Sequence, residues 1–195
     1  MPPRAFLDAN VLVPARLRDV LLTLAEAELY EVRWSADVLT EAARHLPDSM
    51  SDPARRSLFA AMARAFPDAL VQWPDSLRID VPDLVNAKDR RVVAAAMYSN
   101  AEVLVTNDRA LCGQLDGRPE FLEAQTASAF IAFTIDSDMA RAGRALIEMA
   151  ARRWVGSELH GDAGEIRDRL AAWALRQLGG AVADLVSSKE FLGGG

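Results

Sequence analysis

The sequence predicts an α/β fold with a parallel sheet covered on both faces by helices. Short apolar, β-prone runs alternate along most of the chain with longer segments whose apolar residues recur at helical spacing. Parallel strands need such helical crossovers, and the crossovers cover the faces of the sheet. With 195 residues, 51% of them hydrophobic and 26% charged, the chain can bury a core of this kind.

Five runs carry the strand prediction. The two clearest are AFLDANVLV at 5–13 and EVLVTND at 102–108. Three less distinct runs are YEVRWS at 30–35, ALVQW at 69–73 and FIAFTI at 130–135. Their alternation with helical sequence favours βα units over an all-β architecture.

Helical segments fill the intervals between these runs, and their ends carry recognisable signals. Ser35 suits a helix N-cap, and Pro47 ends the same helix because the residue before a proline is disfavoured in helical conformation. Asp52 is expected to cap the next helix, with Pro53 at its first position. The predicted helices span residues 15–29, 35–46, 51–66 and 88–100.

The alternation stops near residue 136. Beyond it, residues 136–155 and 162–178 show two amphipathic helical patterns, joined by the turn sequence GSELHGD. We therefore expect two parts, an α/β domain over residues 1–135 and a helical C-terminal extension over residues 136–195.

Charge and cysteine content narrow the class of protein. The net charge is −6 and the pI is near 5.0, so the basic surface of a general nucleic-acid binder is absent. A local site whose charge is inverted by a bound metal remains compatible with this balance. Cys112 is the only cysteine, so no internal disulfide can form, and no apolar stretch approaches the roughly 20 residues of a membrane span. We expect a soluble, cytoplasmic protein that does not contact membranes.

Acidic residues recur where predicted strands end or the following helices begin. Asp8 lies within the first apolar run, Asp108 ends the run VLVTND, and Asp89 stands at the start of a helix. Because the carboxyl ends of parallel strands meet at one edge of a sheet, we expect these three acids to lie close together. Glu41, on the helix beside the second predicted strand, is a candidate to join them.

Three or four carboxylates held this close repel one another, and a hard cation bound by oxygens is the usual solution. We therefore expect Mg²⁺ or Mn²⁺; the chain has no HExxH or CxxC pair for zinc. Such a site suits phosphodiester hydrolysis, because the metal lowers the pKa of the attacking water and stabilises the leaving oxygen. Arg90, Arg91 and Arg109 lie next to Asp89 and Asp108 in the sequence, where they are candidates to bind RNA phosphates.

Four stretches, in this order, resemble the PIN-domain ribonucleases, especially the VapC-type toxins of bacterial toxin–antitoxin pairs. They are FLDANVLV, LTEAARHL, KDRRVVAAAM and VLVTND, and the resemblance covers roughly residues 4–135. It implies a three-layer α/β/α domain and a Mg²⁺- or Mn²⁺-dependent endoribonuclease that cuts RNA and so inhibits translation and growth. It also implies a cognate antitoxin protein and a homodimer. The helical extension lies outside the resemblance.

The resemblance implies a role for each matching residue. The catalytic acids would be Asp8, Glu41, Asp89 and Asp108, and the metal ligands among them Asp8, Asp89 and Asp108. Thr106 and Asn107 match the polar residues ahead of the last acid. Asn10, two residues after the first acid, is placed to hydrogen-bond Asp8 or a metal-bound water.

Other functions stay open at this point. Each acid also has a simple structural explanation, with Asp8 and Asp89 at helix starts, Asp108 in a turn and Glu41 on a solvated helix face. That interpretation corresponds to a non-catalytic PIN-like or receiver-like binding module. A haloacid-dehalogenase-like phosphatase also begins with an acid after its first strand. Its second aspartate would fall at Asn10, which cannot donate and retrieve a proton.

Overall fold

The computed structural model contains a five-stranded, all-parallel sheet flanked by helices. Its strands are β1 Arg4–Leu7, β2 Glu31–Ser35, β3 Leu70–Val71, β4 Val103–Val105 and β5 Glu123–Gln125. They lie in the order β3-β2-β1-β4-β5, and the predicted α/β class with a parallel sheet is confirmed. The structure describes residues 2–72, 81, 83, 85–118, 122–154 and 162–192.

Strand β1 lies in the middle of the sheet. Ala5, Phe6 and Leu7 are fully buried, as expected of a strand covered on both faces. β1 pairs with β2 on one side and with β4 on the other, where Leu7 lies opposite Val105. The order of the strands therefore reverses between β1 and β4. In open parallel sheets, ligands bind in the crevice beyond the strand ends at such a reversal point.

The first strand is shorter than its apolar run. β1 ends at Leu7, and Ala9–Leu12 form a short helix, α1. Asp8 stands between them, where its carboxylate accepts a hydrogen bond from the Ala9 N–H and caps the helix. The prediction of a continuous strand over residues 5–13 is therefore wrong in its second half.

The next helices largely follow their sequence signals. They are α2 Ala15–Glu26, α3 Ala36–His45, α4 Asp52–Ala65, α5 Arg90–Tyr98 and α6 Arg109–Leu115. Ser35 caps α3 through its hydroxyl, and α3 ends before Pro47, as predicted. The cap of α4 is Ser51 and not Asp52, because the Ser51 hydroxyl reaches the first turn and Asp52 is already helical.

The C-terminal part is helical. It contains α7 Ala127–Ser137, α8 Met139–Arg153, α9 Ala163–Gln177, α10 Gly180–Ser187 and the 3₁₀ turn η1 Glu190–Leu192. Helices α8 and α9 confirm the two predicted helices, whereas α10 has no counterpart among the predicted elements. Most of the predicted turn between α8 and α9, and Trp73 at the end of the fourth predicted run, lie outside the described residues.

The prediction of a strand at residues 130–135 is wrong, because this run lies inside α7. A short, wholly apolar run does not distinguish a buried strand from a buried helix. Phe130, Ile131, Thr134 and Ile135 are buried, at the spacing of one helix face. The fifth strand is instead β5, which is short and polar.

The chain divides into two compact units. The first comprises Met1–Arg18 and Tyr30–Thr126, and the second comprises Asp19–Leu29 and Ala127–Gly195. From the sequence we predict a functional domain over residues 1–135 and an extension over residues 136–195. The two compact units do not test where the functional domain ends, so this division stays a prediction. None of the helices in the described ranges is long and apolar enough to cross a membrane.

Candidate active site

The candidate site lies in the first unit, beyond the carboxyl ends of β1 and β4. Asp8 directly follows β1, and its backbone N–H donates to the carbonyl of Val105 at the end of β4. Thr106 and Asp108 follow β4, and Asp89 immediately precedes α5, which packs against β2 and β4. The sheet reversal therefore brings residues from distant parts of the sequence together.

Asp8 is held by hydrogen bonds to both of its carboxylate oxygens. Oδ1 accepts from the Ala9 N–H at 2.7 Å, and Oδ2 accepts from Asn10 Nδ2 and from Thr106 Oγ1, each at 2.7 Å. Burial raises the pKa of the Asp8 carboxyl, the hydrogen bonds from Thr106 and from the Ala9 N–H oppose the rise, and the nearby carboxylates of Glu41 and Asp89 add to it. Asp8 is thus fixed in position while its negative charge is disfavoured.

Thr106 and Asn10 hold the Asp8 carboxylate in place through a shared hydrogen-bond network. The Thr106 hydroxyl is fully buried and gives its one hydrogen to Asp8. Its oxygen accepts from Asn10 Nδ2 at 2.8 Å and from the Asp108 N–H at 3.1 Å. Asn10 Oδ1 in turn accepts from the backbone N–H of Asn107 at 2.9 Å. The three polar residues implied by the resemblance therefore form one network, with Asn107 contributing its main chain.

Asp108 is the N-cap of α6. Its Oδ1 accepts from the N–H groups of Ala110 at 2.9 Å and Leu111 at 3.1 Å, and its Oδ2 lies 3.3 Å from Lys88 Nζ. The Leu111 N–H, and then Lys88 and the Ala110 N–H, hold the pKa of Asp108 below its ordinary value. This carboxylate therefore uses one oxygen to cap its own helix and the other to pair with Lys88.

Asp89 differs from Asp8 and Asp108. It occupies the N-cap position of α5 but makes no capping hydrogen bond with its side chain. Among the described residues, its buried Oδ2 has no hydrogen-bond partner, although Lys88 Nζ lies 3.8 Å away. Burial raises the pKa of Asp89, Lys88 opposes the rise, and the carboxylates of Asp108 and Glu41 add to it. A buried oxygen without a partner costs free energy unless something else binds it.

Glu41 lies on the exposed side of α3, across an open groove from the first helix. The groove has a volume of about 280 Å³ and is lined by Ala9, Asn10, Val13, Pro14, Glu41 and His45. His45 directs its Nδ1 to the Glu41 carbonyl at 2.9 Å, near the end of the helix, so its ring serves the helix terminus. Glu41 lies near enough to Asp8 and Asp89 to raise the pKa of both, and Asn10 lines the groove as well as donating to Asp8.

The three arginines predicted to bind RNA have different surroundings. Arg90 donates to the carbonyl of Val81 at 2.8 Å, and Arg91 pairs with Asp37 at 2.7 Å. Arg109 is exposed beside Asp108 at the start of α6. As the structure stands, Arg109 is the one of the three that offers its side chain to solvent without a described ion pair.

Lys88 is the residue that sequence reasoning missed. Its ammonium lies between two of the acids, 3.3 Å from Asp108 Oδ2 and 3.8 Å from Asp89 Oδ2. The signal was its position directly before Asp89 in a chain with only one other lysine, Lys189. That position alone does not tell whether the side chain turns toward the cluster or into solvent.

The side chains of the cluster are oxygen donors, as the expected metal requires. Within the described residues, no three histidine, cysteine or acidic side chains are close enough together, as they stand, to hold a metal ion. The chemistry of the cluster nevertheless fits Mg²⁺ or Mn²⁺, because all of its donors are oxygens and the Asp89 Oδ2 lacks a partner.

No protein-family model matches the chain, and neither a curated protein nor a solved structure matches it. Similarity to a known protein therefore adds nothing to the geometry of the acidic cluster and the resemblance of the four sequence motifs.

Proposed function

We propose that this chain is a metal-dependent endoribonuclease with a three-layer α/β/α domain of the PIN type. One observation carries the proposal: acids from separate elements lie near enough at the reversal point of a parallel sheet to raise the pKa of Asp8 and Asp89, and Asp89 buries an oxygen without a hydrogen-bond partner. Burying a carboxylate oxygen that accepts no hydrogen bond is unfavourable in a purely structural site. In a cation site, the same arrangement is what binding requires.

Each acid of the cluster, and each side chain that donates to Asp8, has a role in the proposed activity. Asp8, Asp89 and Asp108 would hold Mg²⁺ or Mn²⁺, with Glu41 beside them. When bound, such a cation makes water a better nucleophile and stabilises the leaving oxygen of a phosphodiester. Asn10 and Thr106 keep the Asp8 carboxylate from rotating, since both donate to the same oxygen.

RNA binding is assigned to the arginines near the cluster. Arg109 is exposed at the start of α6 and can contact a phosphate directly. Arg90 and Arg91 contribute positive potential from their present positions, although each now contacts a group of its own chain. The acidic cluster thus has cations on its border, which suits a polyanionic substrate.

The biological role belongs to the same proposal. A toxin of a type II toxin–antitoxin pair, its cognate antitoxin, a homodimer and action in the cytoplasm are supported by the resemblance of residues 4–135 alone. Cleavage of cellular RNA by such an enzyme would arrest translation and growth.

A non-catalytic binding module is the second candidate. The observation that favours it is that Asp8 and Asp108 both cap helices of their own chain, which is a sufficient structural reason for two of the acids. It does not explain Asp89, which caps nothing with its side chain.

The test is cleavage of total cellular RNA by the purified chain, with Mn²⁺ or with EDTA, beside the variants Asp8→Asn and Asp89→Asn. We expect metal-dependent fragments, and a loss of at least about a hundredfold in rate for each variant, because each removes a charge that the metal needs. The matched control is Asp48→Asn, which removes one carboxylate from an exposed loop and should cut as the wild type does.

Two outcomes would count against the proposal. Full activity of Asp8→Asn, in protein whose circular dichroism and melting temperature match the wild type, would remove Asp8 from the catalytic residues. Absence of cleavage with Mg²⁺ and with Mn²⁺ would favour the binding module.

A further inference from the structure

Among the described residues, Lys88 brings a positive charge closest to Asp89 and Asp108. Its Nζ lies 3.3 Å from Asp108 Oδ2, where it donates a hydrogen bond, and 3.8 Å from Asp89 Oδ2. The two carboxylates belong to the starts of different helices, α6 and α5, so one ammonium links two separate elements. The Lys88 side chain is 68% exposed, so solvent surrounds most of it.

The neighbouring cations do not share this position. Arg90 contacts the Val81 carbonyl and Asp83, and Arg91 contacts Asp37. Among the ion pairs of the described residues, those of Asp89 and Asp108 are both made by Lys88. The hydrogen bond to Asp108 and the charges of Asp89 and Asp108 raise the pKa of Lys88, so its ammonium stays charged at neutral pH.

The contact to Asp89 is incomplete. At 3.8 Å, Lys88 attracts the Asp89 carboxylate but makes no hydrogen bond to its Oδ2, which remains without a partner. An ammonium therefore neutralises part of the charge of the cluster while leaving the buried Asp89 Oδ2 without a hydrogen bond. A divalent ion carries twice the charge and can be coordinated by oxygens of both carboxylates.

We propose that Lys88 is a resident counter-ion of the metal site, which a divalent cation displaces from Asp89 and Asp108 when it binds. The inference rests on the proposed function, because it takes the acidic cluster to be a metal site. Since an exposed lysine ion pair is weak, displacement requires little free energy and lowers metal affinity only modestly.

The chain contains only two lysines, Lys88 and Lys189, and this allows a direct test. In the full chain labelled with ¹³C,¹⁵N-lysine, we expect titration with Mg²⁺ to move the Lys88 side-chain signals toward those of a free lysine, with saturation. Lys189, beside η1 in the C-terminal part, serves as the internal reference and should not move. Saturable Mg²⁺ binding by calorimetry without a change in the Lys88 signals would overturn the inference.

Matched variants give a second, independent measurement. For Lys88→Gln, we expect the dissociation constant of Mn²⁺ to fall by about two- to fivefold, because the competing ion pair is gone. Arg118→Gln makes the same change in net charge at an exposed residue beyond the far end of α6, and its dissociation constant should equal that of the wild type. Unchanged or weaker Mn²⁺ binding by Lys88→Gln would contradict the displacement.

The outcomes separate the two proposals. If the wild type binds neither Mg²⁺ nor Mn²⁺, the metal-dependent nuclease fails and the role of Lys88 fails with it. If the wild type binds Mn²⁺ and cleaves RNA, but Lys88→Gln binds Mn²⁺ with wild-type affinity, only the role of Lys88 is wrong.

Discussion

In the first unit, polar side chains converge at the strand ends, whereas in the second unit apolar side chains from several helices fill the interior. Leu146 of α8, Leu170 and Trp173 of α9, and Val186 of α10 are all buried in the second unit. α10 packs against α9 and α7, and α8 packs against η1. The second unit thus gains its stability from apolar burial, which leaves few polar groups to satisfy.

The two units also differ in the hydrogen bonding of a partly buried aspartate. Asp19 in the second unit is 17% exposed, and both of its oxygens have partners, Arg153 at 2.7 Å and the Trp154 Nε1–H at 3.1 Å. Asp89 in the first unit is 14% exposed and leaves its buried oxygen without a hydrogen bond. From this contrast we expect Asp19 to stabilise the second unit and Asp89 to destabilise the first, a cost that is common at functional sites.

The largest expected effect tests the close packing of the second unit. A Cβ on Gly143 of α8 would overlap the backbone carbonyl of Phe191 in η1. Backbone cannot move aside as a flexible side chain can, so we expect Gly143→Ala to lower the free energy of unfolding by about 3 kcal/mol or more. Urea denaturation followed by circular dichroism measures this loss.

Gly113 provides the matched control in the first unit. It lies in helix α6, and a Cβ there would meet open space. Gly113→Ala should therefore stabilise the protein by about 0.5 to 1 kcal/mol, since alanine loses less backbone entropy in a helix. Equal stabilities for the two variants would mean that α8 and η1 are not packed at van der Waals contact.

An intermediate effect tests the polar contact of the second unit. Asp19→Ala removes the ion pair with Arg153 and the acceptor for the Trp154 N–H, which should cost about 1 to 2 kcal/mol. Asp19→Asn keeps an acceptor for the indole and loses the charge. Because Arg153 is 63% exposed, the charge contributes little, and we expect about 0.5 kcal/mol for this variant.

Thermal unfolding of the two Asp19 variants, side by side, separates the hydrogen bond from the ion pair. A loss for Asp19→Asn as large as that for Asp19→Ala would assign the stabilisation to Arg153. In that case the second unit would also depend on charge, and the comparison with the first unit would weaken.

Much of the candidate site can be predicted from the sequence, because the strand topology alone determines which residues lie at the shared edge of the sheet. Asp8 and Asp108 each follow an apolar run, and the ends of parallel strands share an edge. It can therefore be predicted, without any knowledge of side-chain positions, that Asp8 and Asp108 lie at the same edge of the sheet. The parallel sheet follows in the same way from the alternation of strands and helices.

Features that depend on three-dimensional surroundings could not be predicted. The run at 130–135 is apolar enough for either a buried strand or a buried helix, and its place in α7 is decided by packing of the second unit. Lys88 could equally have pointed into solvent. The missing partner of Asp89 Oδ2 depends on every group within a few ångströms, which no local pattern encodes.

The smallest expected effect is the most informative about the first unit. Asp89→Asn removes a disfavoured charge, so at pH 7 and without metal we expect it to raise the free energy of unfolding by about 1 kcal/mol or less. Asp48→Asn, in an exposed loop, should leave that free energy within about 0.5 kcal/mol of the wild type.

The difference in the free energy of unfolding between Asp89→Asn and the wild type should depend on pH. The pKa of Asp89 is raised above its ordinary value of 3.8 in the folded protein, so above pH 3.8 the folded state binds more protons than the unfolded state. The free energy of unfolding of the wild type therefore falls as pH rises through the folded pKa, and Asp89→Asn escapes this loss. Below pH 3.8 the wild-type carboxyl is protonated in both states, and the advantage of the variant should vanish. A lower stability of Asp89→Asn than of the wild type at pH 7 would contradict this expectation. Lys88 would then stabilise the ionised Asp89 carboxylate, and the aspartates of both units would be stabilised by their ion pairs.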